Sequence, residues 1–89
     1  MSILDRAWAL DDQVALRPEP FGALAYHFGT RRLSFLKSPL LLEAVRGLEG
    51  HASAREACLA AGVAEDELAA YERALSTLAD TGMISERAR

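Results

Sequence analysis

Residues 21–36 read FGALAYHFGTRRLSFL, and the way this stretch folds back on itself decides the architecture. Gly29-Thr30 stands where a two-residue turn belongs, and glycine in first place suits a type II′ turn, which needs φ > 0 there. With Phe28 opposite Arg31, Tyr26 faces Leu33 and Leu24 faces Phe35. His27 then meets Arg32, and Ala25 meets Ser34, on the other side. Side chains of a strand alternate between faces, so this register gathers the large apolar groups on one face, expected to be the core face. A slip of one residue would mix the two sets.

Outward from the hairpin, Gln13 to Arg17 alternates with Val14 and Leu16 inward and predicts a first strand. Arg17-Pro18-Glu19-Pro20 is expected to break it, because proline donates no ladder bond and restrains the residue before it. The segment up to Asp12 shows no clear period, and Leu4, Trp8 and Leu10 are its candidate anchors on the sheet. Three helices are predicted downstream. Ser38 is a natural N-cap with Pro39 in the first helical position, followed by Leu41, Ala44, Val45 and Leu48 at helical spacing up to Gly50. Ser53 and Glu56 form a capping box for a short helix lined by Ala54, Ala57, Cys58 and Ala61 and stopped at Gly62. The last helix runs from about Glu65 to Thr81 with Leu68, Tyr71, Leu75 and Leu78 as its buried stripe, and Met83-Ile84 follows as a short apolar tail.

The expectation is therefore an α+β domain over residues 1–89: a three-stranded antiparallel sheet at about 13–36, then three helices at about 39–81, winged-helix-like in outline. Such a chain is long enough for one small core, and a partner or a second copy would stabilise it, so a homodimer is left open. One cysteine, Cys58, excludes an intramolecular disulfide and fits a reducing cytoplasm. The N-terminal stretch has no apolar run that would serve as a signal or a membrane span.

Charge and spacing then exclude functions. A winged helix invites a DNA-binding reading, but the last helix, EDELAAYERALSTLAD, carries five acids against the single Arg73, and phosphates would repel it. His27, His51 and Cys58 fall in three separate elements with no metal-ligand spacing, and no glycine-rich loop leads from a strand into a helix. Cys58 on a small-residue face reads as filler, and no enzyme is expected. What remains is binding. The third strand has one neighbour and an open row of N–H and C=O groups, to which an extended peptide can add. Arg31, Arg32 and Lys37 bracket that strand; they either blunt the edge or attract an acidic peptide.

At these residues the chain resembles a known family. Three short strands followed by three helices is the pattern of the PqqD-like precursor-recognition domains of ribosomally made, modified peptides. RPEPFGALAYHFGTRRLSFLKSPLLLEAV, residues 17–45, is similar to the peptide chaperones of mycofactocin biosynthesis, the MftB family; CLAAGV and YERALSTLADTGMI extend the likeness over most of the chain. The resemblance implies a non-catalytic protein that needs no cofactor. It would bind the leader of an acidic precursor peptide and hand it to a radical S-adenosylmethionine maturase, whose iron–sulfur cluster this chain lacks the cysteines to hold. Neither nucleic acid nor membrane is implied. The leader would lie along the third strand, at Arg31, Arg32, Leu33, Ser34, Phe35, Leu36 and Lys37, in a cleft closed by one flank of the last helix. Glu67, Ala70, Tyr71, Ala74 and Leu78, with Thr77, mark one flank; Ser76 and Ala79 mark the other, and the first is the flank chosen. The alternative is an assembly subunit that binds a folded protein and no peptide strand, or, less favoured, a winged-helix DNA-binding regulator.

Overall fold

The computed structural model describes residues 2–87; Met1, Ala88 and Arg89 lie outside the described residues. Strands β1 (Trp8–Leu10), β2 (Val14–Glu19), β3 (Gly22–His27) and β4 (Leu33–Leu36) precede helices α1 (Pro39–Arg46), α2 (Ala54–Ala61) and α3 (Leu68–Asp80), and β5 (Ile84–Glu86) follows. β2, β3 and β4 form the antiparallel sheet in that order, and β1 pairs with β5 in a separate two-stranded ribbon.

The hairpin register is the expected one, with Tyr26 opposite Leu33, Leu24 opposite Phe35 and Ala25 opposite Ser34. Its faces are the reverse of expectation. Ala23, Ala25, His27 and Leu36 are buried beneath the helices, whereas Phe28, Leu33 and Phe35 are 61%, 60% and 58% exposed. α1 packs directly on β3. It can do so because the side chains beneath it are alanines, which let a helix axis approach more closely than Leu24 or Tyr26 would. Close helix approach, not side-chain size, selected the buried face.

The turn also differs from the expected type II′ form. Gly29 has no positive φ; Arg31 does, at 63°. The loop spans Phe28 to Arg31 and is closed by the His27 side chain, whose Nδ1 accepts from the N–H of Gly29 at 3.0 Å and of Thr30 at 3.1 Å. Nε2 is left to face Asp11 Oδ1 at 3.5 Å. Gly29 is required for closeness: a Cβ there would lie 2.9 Å from His27 Cε1 and would strike the Gln13 side chain. The register survives because closing the loop at His27 and Arg32 leaves every later pair unchanged.

β2 does not stop before Pro18, as the sequence suggests, but continues to Glu19 opposite Gly22. Phe28 N donates to Gln13 O, so the alternation of antiparallel pairs turns the main-chain nitrogens of Val14, Leu16 and residue 18 away from β3. Pro18 therefore forfeits no ladder bond, and it blunts the outer edge of β2.

The helices start where the sequence places their caps. Ser38 Oγ accepts from Leu40 N and Leu41 N, and Ser53 Oγ from Glu56 N. Gly62, at φ 107°, ends α2. α1 ends earlier than Gly50, at Arg46, followed by a 3₁₀ turn at Leu48–Gly50. The last α-helix begins at Leu68 after a 3₁₀ turn at Glu65–Glu67. The N-terminal anchors pack under helices and not on the three-stranded sheet: Leu4 and Trp8 are buried, and Trp8 Nε1 donates to Ile3 O at 2.9 Å. Met83 and Ile84, read as a tail, are fully buried, with Ile84 paired to Leu10 in the ribbon. Among the described residues no helix is long and apolar enough to cross a membrane.

Candidate functional site: a strand edge above an apolar groove

β4 is the edge of its sheet on the side nearest α3. His27 N donates to Arg32 O, which makes that couple a hydrogen-bonded pair. Antiparallel pairs alternate, so Ser34 and Leu36 also turn their N–H and C=O groups toward β3. The N–H and C=O groups of Leu33 and Phe35 consequently face the open edge. This parity, which the sequence alone leaves undecided, identifies the two residues whose main chain is free to pair with another strand.

Beside that edge lies a groove of about 470 Å³ between β4 and α3, walled by Leu33, Phe35, Leu41, Ala74, Thr77 and Leu78 among others. A second hollow continues it toward Ala70 and Tyr71, sharing Lys37, Leu41 and Ala74 with the first. Small residues on α3 keep the groove open. Hydroxyl contacts hold its two ends. Ser34 Oγ lies 3.5 Å from Thr81 Oγ1, and Ser38 Oγ lies 3.0 Å from Tyr71 OH. Ser38 already accepts from Leu40 N and Leu41 N, so both its lone pairs are engaged and its own proton points to Tyr71.

Of the residues singled out from sequence, Leu33, Ser34, Phe35, Lys37, Ala70, Tyr71, Ala74 and Leu78 meet around this groove. Ser76 and Ala79, on the other flank, face Ile3, Arg6 and Trp8 across the molecule. Leu36 is fully buried, so its side chain belongs to the core. Arg31 and Arg32 are exposed in the turn ahead of β4 and do not line the groove, nor does Glu67. Three wall residues escaped the sequence reading. Leu41 has the spacing of a core position, Ser38 reads as a helix cap and Thr81 stands at a helix end, so none carried a binding signal of its own.

The electrostatics are one-sided. Among the described residues no carboxylate lines either hollow, and Lys37 is the single charged residue among their walls. Among the described residues Arg31, Arg32 and Lys37 form no ion pair, whereas Arg6, Arg17, Arg46 and Arg55 each pair with an acid. Cys58 is buried, and burial pushes its thiol pKa up, away from nucleophilic thiolate. Among the described residues no His, Cys, Asp and Glu side chains cluster closely enough to hold a metal.

A free strand edge opening onto a groove whose one charged wall residue, among the described residues, is Lys37 defines the site of a small binding domain. Residues 7–85 match the Peptide chaperone MftB family, and the chain belongs to that non-catalytic family of mycofactocin biosynthesis. The chain is 59% identical over 80 residues to the peptide chaperone MftB of Mycobacterium ulcerans (strain Agy99), covering 90% of this chain and 73% of the relative. To that of Mycolicibacterium smegmatis (strain ATCC 700084 / mc(2)155) it is 55% identical over 80 residues, covering 90% and 78%. To that of Mycobacterium tuberculosis (strain ATCC 25618 / H37Rv) it is 52% identical over 83 residues, covering 93% and 76%. No solved structure matches the chain.

Proposed function

We propose that this chaperone captures the leader of its precursor peptide as an added strand on β4, with alternate leader side chains reaching into the groove against α3. It then presents the peptide to a radical S-adenosylmethionine maturase in the cytoplasm. The observation that carries the reading is the pair of unpartnered main-chain edges at Leu33 and Phe35, opening onto a groove without carboxylates. Main-chain bonds would supply affinity, and the pockets would read side chains. Arg31, Arg32 and Lys37, free of ion pairs, would draw in an acidic leader. Holding the leader on a protein that also docks on the maturase makes delivery of the reactive end nearly intramolecular.

Titration calorimetry with a synthetic leader tests the strand. Proline at position 35 removes a donor that faces the edge and costs β4 none of its own ladder bonds. Phe35→Pro is expected to bind about 10- to 30-fold more weakly than Phe35→Ala, the cost of leaving one buried peptide carbonyl unpaired. Equal affinities for these two variants, with the same equality for Leu33→Pro and Leu33→Ala, would rule strand addition out. The electrostatic part is separate. Arg31→Glu/Arg32→Glu should weaken binding by roughly tenfold at low salt and flatten its dependence on ionic strength. An unchanged affinity removes the cations from the mechanism.

A further inference from the structure

The helices cover one face of the three-stranded sheet; among the described residues nothing covers the other, which is largely apolar. Phe21, Leu24, Tyr26, Phe28, Leu33 and Phe35 project from it, and Phe28, Leu33 and Phe35 are the most exposed large apolar side chains of the molecule. They are already arranged against one another. The Phe21 and Phe35 rings lie 6.1 Å apart, and Tyr26 meets Phe28 edge to face at 5.1 Å. Side chains that hold each other in place lose little freedom when covered. Given what an aromatic ring can bury, the uncovered apolar area is on the order of 500 Å², the size at which a patch on a small protein marks an interaction site.

We propose that the cover is a second copy of this chain, the two outer sheet faces packed across a two-fold axis. Shape supports it, because sheets stack face to face about 10 Å apart with strands rotated by roughly 30°. Charge supports it as well. By strand alternation the charged side chains that β2 turns to this face are Arg17 and Glu19, which pair with each other at 2.8 Å. One charge of each sign beside an apolar centre is self-complementary: across the axis, Arg17 of one copy can meet Glu19 of the other. The part of the face that β2 supplies is thus neutral, in a chain of net charge −3. Area supports it too. With Ala15, Arg17 and Thr30 at the rim, each copy would bury roughly 600–800 Å², close to the ~800 Å² per partner of a standard interface. Leu33 and Phe35 turn their main chain to the open edge and their side chains to this face, so a leader strand and a second copy meet at the same two residues.

Sedimentation velocity on the full chain from about 1 to 500 µM tests this. The wild type is expected to pass from monomer to dimer with a midpoint in the tens of micromolar, and Phe28→Glu and Phe21→Glu are each expected to raise that midpoint at least tenfold with unchanged far-UV dichroism. A wild type that sediments as a monomer throughout overturns the proposal and gives the face to a different protein partner. A dimer that neither substitution weakens overturns it equally. Leader titrations on the same samples keep the two readings apart, since the dimer can fail while the groove still binds, and the groove can fail while the dimer forms.

Discussion

An alanine at position 22 is expected to destabilise the protein by about 3 kcal/mol or more. Gly22 opens β3 with φ 148°, a conformation that side chains rarely adopt. Its hydrogen also stands where the chain passes from β4 into α1. A Cβ would land on the Leu36 carbonyl oxygen and come within 2.8 Å of Ser38 N and 3.0 Å of Ser38 C. All three atoms are backbone, held by the β3–β4 ladder and the α1 cap, so no rotamer change relieves the clash. Urea or thermal unfolding measures it, and a fall in Tm of roughly 15 °C corresponds to this cost in a domain of this size. Two other glycines calibrate the result. Gly50→Ala meets nothing within 4 Å and should stay within about 0.5 kcal/mol of wild type. Gly82→Ala meets only its own φ of 77° and should lose about 1 kcal/mol. A Gly22→Ala protein as stable as Gly82→Ala would mean that the junction of β4 and α1 yields more readily than its bonding implies.

Ala25→Leu is expected to cost about 2–3 kcal/mol, although it adds a better hydrophobe to the middle of the sheet. Ala25 is 1% exposed on the central strand, beneath α1, and three further carbons would have to push the helix away. On the outer face the expectation reverses. Phe28→Ala removes a far larger apolar group, yet Phe28 is 61% exposed, and the loss should stay below about 1 kcal/mol at concentrations where the chain is monomeric. Unfolding curves for the two variants decide which face carries the fold. If Phe28→Ala proved the more damaging, the helices would have to rest on the aromatic face.

That pair of variants also marks where sequence reading stops. The period-two alternation of residues 21–36 specifies which side chains share a face, and the expected pairs Leu24–Phe35, Ala25–Ser34 and Tyr26–Leu33 stand in the structure, whereas Phe28 and Arg31 fall in the loop. Alternation is symmetric between the faces, however, and size pointed to the wrong one. The burial of Ala23 and Ala25 follows from how near α1 comes, which depends on residues far along the chain. The turn was misread for a local reason of another kind. Gly29-Thr30 has the composition of a two-residue turn, but the His27 ring accepts two loop N–H groups and widens it. Pairing of β1 with β5 left no trace in the sequence, because three-residue strands are too short to show a period and join opposite ends of the chain.

The groove divides in the same way. Arg31, Arg32 and Lys37 beside an edge strand, and the small residues Ala70 and Ala74 on α3, were visible as residue types at a spacing. Only the assembled sheet brings Leu33 and Phe35 opposite Ala74, Thr77 and Leu78, and only ladder parity shows that the main chain of Leu33 and Phe35 faces outward.

By itself, then, the sequence determined the local structure: the hairpin register through alternation, and the starts of α1 and α2 through the Ser38 and Ser53 caps. These are properties of neighbouring residues, and neighbours are what a sequence records directly. The tertiary structure alone decided which face of the sheet the helices took, which main-chain groups stayed free, and that an aromatic surface was left uncovered. Each of those outcomes turns on the distance between elements remote in the chain, and close packing sets that distance only once all of them are in place.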